Sequence, residues 1–163
     1  MTDTGEVVDQ DVRIRVAQPN EFDNLLDLDG AVFEDFAYPP FTLRQLLDLH
    51  REWWMVADHP DGLRGYSLGV PTFDRGRAWL LGLGVREQFR RRGYGKSLTR
   101  ASMRRLADVG VPELYLTVEP DNRWALRLYR GLGFEVEGMG KDYLGPGEDR
   151  LIMVADLRRR QGP

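Results

Sequence analysis

Residues 77–109 constrain the fold more than any other stretch. Arg77 to Val85 is an apolar run that reads as a strand. It stops at Arg86-Glu87-Gln88-Phe89-Arg90-Arg91-Arg92-Gly93-Tyr94-Gly95-Lys96-Ser97. From Gly95 to Val109 the pattern predicts a helix with Leu98, Ala101, Leu106 and Val109 inward, stopped by Gly110 and Pro112. A strand that feeds a glycine-rich turn and then a helix belongs in a sheet with helices on its faces. Gly93 and Gly95 allow φ > 0 and close backbone approach to a ligand. The helix start offers N–H donors and the positive end of the dipole. Arg90, Arg91, Arg92 and Lys96 add charge-assisted bonds. The segment predicts a site for an anion such as a pyrophosphate.

Charge supports a local anion site. The chain carries a net −3 over 163 residues. Residues 1–60 hold 13 acids and 4 bases, whereas residues 86–105 hold 8 bases and 1 acid. A +7 block in an acidic protein points to one anion site rather than a basic nucleic-acid surface. The same block also fits a solvated, arginine-rich helix face.

The remaining pattern fills in the architecture. Val12 to Val16 alternates as a strand, and Phe22, Leu25, Leu26 and Leu28 fit a helix. After Tyr38-Pro39-Pro40-Phe41, Thr42 is the expected cap of a second helix with Leu43, Leu46, Leu47 and Leu49. Trp53 to Ala57 and Leu63 to Val70 read as strands joined by Asp58-His59-Pro60-Asp61-Gly62. Glu113 to Glu119 is a strand. Asn122 caps a short helix that Gly133 stops. Residues 134–138 and 150–157 are the last strands. The order β α α β β β α β α β β predicts an α+β, mixed α/β fold. One domain is expected over residues 11–158, with tails at 1–10 and 159–163.

Composition removes several chemistries. The hydrophobic share of 42% suits a folded chain, and no apolar run approaches the roughly 18 residues of a membrane span. Residues 1–11 are acidic and polar, unlike a secretory signal. With no cysteine, there is no thiol nucleophile, disulfide or cysteine metal site. His50 and His59 are the only histidines, so no multi-histidine metal site is expected. A cytoplasmic, metal-free domain is the expectation.

Three familiar motifs do not fit. Gly95-Lys96-Ser97 resembles the end of a nucleotide P-loop, but Arg90 stands where that motif needs glycine. No GxGxxG is present. Gly65-Tyr66-Ser67-Leu68-Gly69 formally matches a hydrolase elbow, but Ser67 falls inside a strand and no histidine follows residue 59.

A better match exists. Arg90-Arg91-Arg92-Gly93-Tyr94-Gly95 resembles the Q/R-x-x-G-x-G/A loop of the GNAT superfamily of N-acetyltransferases. Leu83-Gly84-Val85 before it, and Leu116 to Asn122 with Ala125, Leu126, Leu128, Tyr129, Gly133 and Phe134 after it, match that family's flanking signatures. Element order agrees across about residues 12–157. The resemblance implies a mostly antiparallel, V-splayed sheet of six to seven strands flanked by about four helices. It implies acetyl-CoA as cosubstrate and direct attack of a primary amine on the thioester.

By that resemblance, backbone N–H groups from Arg90 to Lys96 hold the pyrophosphate. Leu83 and Val85 pair with the pantetheine amides, and an N–H near Leu83 or Gly84 polarises the thioester oxygen. Asn122 contacts the pantetheine arm, alone or together with its capping role. Tyr129 is the general acid for the departing thiolate. The general base is less clear. The positions where relatives carry glutamate are Leu81 and Thr117 here, which leaves Glu119, a water chain or an already neutral amine. The expected acceptor-bordering segments are Glu34 to Phe41 and Lys141 to Asp149. Glu34, Asp35, Tyr38, Phe41, Asp142 and Tyr143 are their candidate contacts, and acids with aromatics suit a cationic amine. The 143–153 stretch is similar to the branch that acetylates the N-terminal alanine of ribosomal proteins. A peptide N-terminus and a small amine are the two acceptor readings, and a homodimer stays open. The alternative is a CoA-binding or nucleic-acid-binding module that uses the 86–105 patch without turnover.

Overall fold

The computed structural model describes residues 9–158. Residues 1–8 of the expected 1–10 tail, and the whole of the expected 159–163 tail, lie outside the described residues. Hydrogen-bonded strands follow the order β1-β2-β3-β4-β5-β7-β6. They are β1 (Arg13–Val16), β2 (Trp54–His59), β3 (Gly62–Pro71), β4 (Ala78–Val85), β5 (Glu113–Val118), β6 (Glu135–Gly140) and β7 (Arg150–Asp156). The helices are α1 (Phe22–Phe33), α2 (Pro40–His50), α3 (Tyr94–Asp108) and α4 (Arg123–Gly131). The sheet is mixed: β4 and β5 run parallel, while the β1/β2, β2/β3, β5/β7 and β6/β7 pairs are antiparallel. Among the described residues, seven strands and four α-helices match the predicted fold class and element order.

By its contacts the chain forms two compact units. The first comprises residues up to 68 together with Gly82–Ser102. Here β2 is buried on both faces. Val56 pairs with Tyr66 and Trp54 with Leu68, so these four share one face. The Trp54 and Tyr66 rings lie 4.9 Å apart, and Phe33 of α1 meets Tyr66 at 6.4 Å. Met55 and Ala57 point the other way. They pack with Val85, Tyr94, Leu98 and Ala101, against which Leu83 also lies.

Glycines let β3 and β4 meet closely. A Cβ on Gly65 would sit 2.7 Å from the Gly84 carbonyl oxygen. A Cβ on Gly82 would sit 2.9 Å from the Tyr66 ring, and one on Gly84 would crowd Val32 and Phe33. Ser67 between them is buried. It donates to the Leu98 carbonyl at 2.9 Å and pairs with Ser102 at 2.8 Å. Its place inside β3 removes the hydrolase elbow.

The second unit comprises Gly69–Leu81 and residues from 103 on. β7 lies between β5 and β6. β4 joins β5 at the N-terminal ends of both strands, through Ala78↔Leu114 and Trp79↔Tyr115. The core of this unit is built from Met103, Leu106, Leu114, Leu116, Leu126, Phe134, Met153 and Leu157.

One cap differs from expectation. Thr42 does not begin α2; the helix starts at Pro40 with Pro39 at the cap position. Proline fits there because the first helical N–H groups have no intrahelical partner and its φ is already helical.

Candidate functional site

The β4–α3 connection is held at several points. Arg86 donates its backbone N–H to Arg64 O, its Nε to Leu63 O (both 2.9 Å) and a terminal nitrogen to Asp27 (2.7 Å). One 3-10 turn follows over Glu87–Phe89. Arg90 folds back, with Nε donating to Val85 O at 3.1 Å. Arg91 (φ 64°) and Gly93 (φ 84°) are left-handed. For arginine that conformation is uncommon and costs on the order of 1 kcal/mol.

The first α3 bond runs from the Ser97 N–H to Gly93 O at 3.0 Å. The N–H groups of Tyr94, Gly95 and Lys96 therefore precede the helical ladder, the geometry that receives an anion. Arg91, Arg92 and Lys96 are exposed around this end. Tyr94 is different. Its side chain is buried and its hydroxyl accepts from Arg64 at 2.9 Å, so only its backbone is available to a ligand. Leu83 and Val85 likewise pack their side chains into the core.

Asn122, Glu119 and Tyr129 belong to the second unit. Asn122 caps α4: its Oδ1 accepts the Ala125 N–H at 3.1 Å. Ala125, Leu126 and Tyr129 share the buried helix face. Gly133 (φ 95°) then reverses the chain, so that the Phe134 N–H reaches Tyr129 O at 3.0 Å. The Phe134 ring meets Tyr129 edge-on at 5.5 Å. Burial pushes the Tyr129 phenol up to about 12, so it carries its proton at neutral pH. Glu119 is exposed and lies 3.6 Å from Arg150, which also pairs with Glu148 at 3.1 Å.

The candidate acceptor residues divide between the two units. Glu34 ends α1 with φ 51° and starts a 3-10 turn with Asp35, both exposed. Tyr38 is half-buried, and its N–H donates to Asp29 at 2.6 Å. Burial, with the Asp29 carboxylate beside it, raises its phenol above the usual value. Phe41 is exposed in the first turn of α2.

In the 141–149 loop, Asp142 (φ 50°) is committed to the turn itself. Its carboxylate accepts the Gly147 N–H and its N–H donates to Asp149, each at 2.8 Å. Tyr143 is exposed and rests on Gly140, where a Cβ would lie 2.6 Å from its ring.

Comparison with known proteins addresses the family directly. The family model described as "Acetyltransferase (GNAT) family" matches residues 20–134. The chain belongs to the GNAT acetyltransferase family. An N-alpha-acetyltransferase of Sulfurisphaera tokodaii is 28% identical over 160 residues, covering 91% of this chain and 95% of that protein. A mycothiol acetyltransferase of a Nocardioides species is 43% identical over 90 residues, 55% of this chain and 28% of that protein. Among solved structures, Ard1 from Thermoplasma volcanium superposes with a TM-score of 0.80 at 23% identity, covering 90% of this chain and 97% of that one. The ribosomal-protein-S18-alanine N-acetyltransferase from Escherichia coli gives 0.76 at 20%, covering 90% and 94%. These likenesses agree with the GNAT fold.

Several residues that shape this GNAT chain escape the sequence reading. Asp29 falls on the apolar stripe of α1, four residues after Leu25, and a carboxyl at an inward position is the signal that was available. Arg64 and Arg150 carry no such signal in strands of mixed composition. Asp9, Asp11 and His59 bring one ligand atom each within 4.8 Å of one another, but Asp9 is engaged by Arg64 and His59 by Asp61.

Proposed function

We propose that this chain transfers the acetyl group of acetyl-CoA to the α-amine of a peptide or protein N-terminus. The observation that carries the reading is the capped α4 helix, which holds a buried phenol on its inward face. In this reading the α3 N–H groups with Arg91, Arg92 and Lys96 receive the pyrophosphate. The backbones of Leu83 and Val85 pair with the pantetheine amides, as does the free capacity of Asn122. An N–H at Leu83 or Gly84 polarises the thioester oxygen. The amine attacks the carbonyl carbon, the C–S bond breaks, and Tyr129 donates a hydrogen bond to the departing sulfur.

Base catalysis is a small requirement for this acceptor. An α-amine, with pKa about 7.7–8.0, is partly neutral at pH 7, unlike a lysine amine near 10.4. A water can carry away the remaining proton. Glu119 is the poorer candidate, because its carboxylate is exposed and lies 3.6 Å from Arg150. The peptide acceptor is favoured over a small amine by the N-alpha-acetyltransferase relative, which this chain spans almost entirely. The match to mycothiol acetyltransferase is the observation that favours a small amine, and it covers 28% of that protein. Among the described residues no helix is long and apolar enough to cross a membrane. Nucleic-acid binding is the weaker reading, because Arg86, Arg90, Arg100 and Arg105 of the basic block already have partners.

Thermal shift and an acceptor screen test the proposal together. Acetyl-CoA at about 100 times its Kd should stabilise the protein by about 2.7 kcal/mol, and an oligonucleotide should not. With acetyl-CoA, peptides of varied N-termini should release free thiol, while acetyl-blocked peptides should not. Stabilisation by oligonucleotide alone, or thiol release only with small amines, overturns the assignment.

A further inference from the structure

Arg64 lies beneath the β4–α3 connection, outside every motif described above. It is 5% exposed in β3. One terminal nitrogen donates to Asp9 at 2.5 Å and to the Tyr94 hydroxyl at 2.9 Å. Its guanidinium carbon stands 4.1 Å from the Phe89 ring centre and 6.0 Å from that of Tyr94. Its second terminal nitrogen is 3.8 Å from Asp61. Its backbone carbonyl accepts the Arg86 N–H. This one residue therefore touches the connection at its beginning (Arg86), its middle (Phe89) and its end (Tyr94).

That placement is costly. A buried guanidinium sits below a loop that already carries Arg90, Arg91 and Arg92, and its Nε has no hydrogen-bond partner. Like charges repel, and burial of a cation carries a desolvation penalty. The two carboxylates and two aromatic faces offset it. Arg92 also lies over Phe89, at 5.6 Å, so the same ring receives both the buried and the exposed guanidinium. The loop path needs a left-handed arginine at 91, which persists only where its surroundings hold it.

We propose that Arg64 is a positioning residue for the cosubstrate: it fixes the 86–94 loop in its anion-accepting shape, and Asp9 latches Arg64 in place. The proposal rests on the acetyl-CoA reading above. A loop preformed in this way binds its ligand without an ordering cost, so its effect appears in affinity rather than in the chemical step. Asp9 makes the segment before β1 part of that support.

The test compares wild type with Arg64→Met, Arg64→Lys, Phe89→Leu and Asp9→Asn. CoA affinity is measured by calorimetry, KM for acetyl-CoA and kcat with the best peptide of the panel, and Tm separately. Arg64→Met should weaken CoA binding and raise KM by about tenfold or more, with kcat within about threefold of wild type. Arg64→Lys should fall between, since an ammonium keeps the charge without the planar fork or the stacking. Phe89→Leu and Asp9→Asn each remove one partner of the guanidinium and should raise KM by about threefold. They decide the matter if the Arg64 variants do not fold. Unchanged CoA affinity in folded variants overturns the role of Arg64, as does a loss of kcat with KM unmoved. Failure of wild type to bind CoA overturns the underlying function instead.

Discussion

Tyr129→Phe should lower kcat by about 100-fold or more, the usual scale for losing a positioned proton donor. CoA affinity should hardly change. The phenol is buried against Phe134, and phenylalanine keeps that packing. The lost interaction is one that forms only as the C–S bond lengthens and charge gathers on sulfur. Full proton transfer at rest runs uphill, from a phenol near 12 to a thiol near 8.5, by roughly 5 kcal/mol. In the proposed reaction the hydroxyl therefore serves mainly as a hydrogen-bond donor to the forming thiolate. The pH profile follows from the same placement. Rate should rise as the acceptor amine loses its proton near pH 8, and Tyr129 should impose no fall until pH rises through about 12. Single-turnover thiol release, with CoA affinity measured in parallel, checks both statements. A kcat within threefold of wild type removes Tyr129 from the chemical step.

Asp29→Ala should cost about 2–4 kcal/mol of stability, more than most single substitutions. Asp29 is 1% exposed, yet its carboxylate accepts from the Tyr66 hydroxyl at 2.7 Å and the Tyr38 N–H at 2.6 Å. Alanine orphans a fully buried hydroxyl and leaves a void where the carboxylate stood. Tyr66→Phe supplies the control: in the Asp29→Ala background it should cost far less than alone, because its partner is already gone. Urea unfolding of the four proteins of this cycle measures the coupling. Independent, additive losses would mean that the two side chains do not act as a pair. Since Asp29 also holds the Tyr38 backbone, Asp29→Ala loosens the entry to α2 as well.

The strand–turn–helix at 77–109 was legible because each part leaves a local mark: an apolar run, paired glycines, then a helical period. Asn122 and Gly133 were legible for the same reason, as cap and stop of one short helix. The start of α2 was misplaced at Thr42 because a hydroxyl and a proline pair are both helix-start signals, and the prolines prevailed. Tyr94 shows the limit of a motif. Its position in the loop was legible, but its side chain faces the core because Arg64, thirty residues earlier, accommodates it there. Arg64 acts through partners distant in sequence, so no spacing rule points to it, whereas Asp29 showed only as a carboxyl on the apolar stripe of α1. The net charge of the 86–105 block was also a poor guide to available charge, since Arg86 and Arg90 are spent on carbonyls and Asp27.

The four tryptophans fall two to each compact unit: Trp53 and Trp54 in the first, Trp79 and Trp124 in the second. Trp54 is sealed against Tyr66, and Trp79 stacks 5.3 Å from Tyr115. The protein thus contains its own pair of optical reporters. Single-tryptophan versions would follow the emission of each unit separately during denaturation, and coincident midpoints would mark one cooperative transition. With no cysteine in the chain, such versions can also be labelled at a single introduced thiol without protecting any other site.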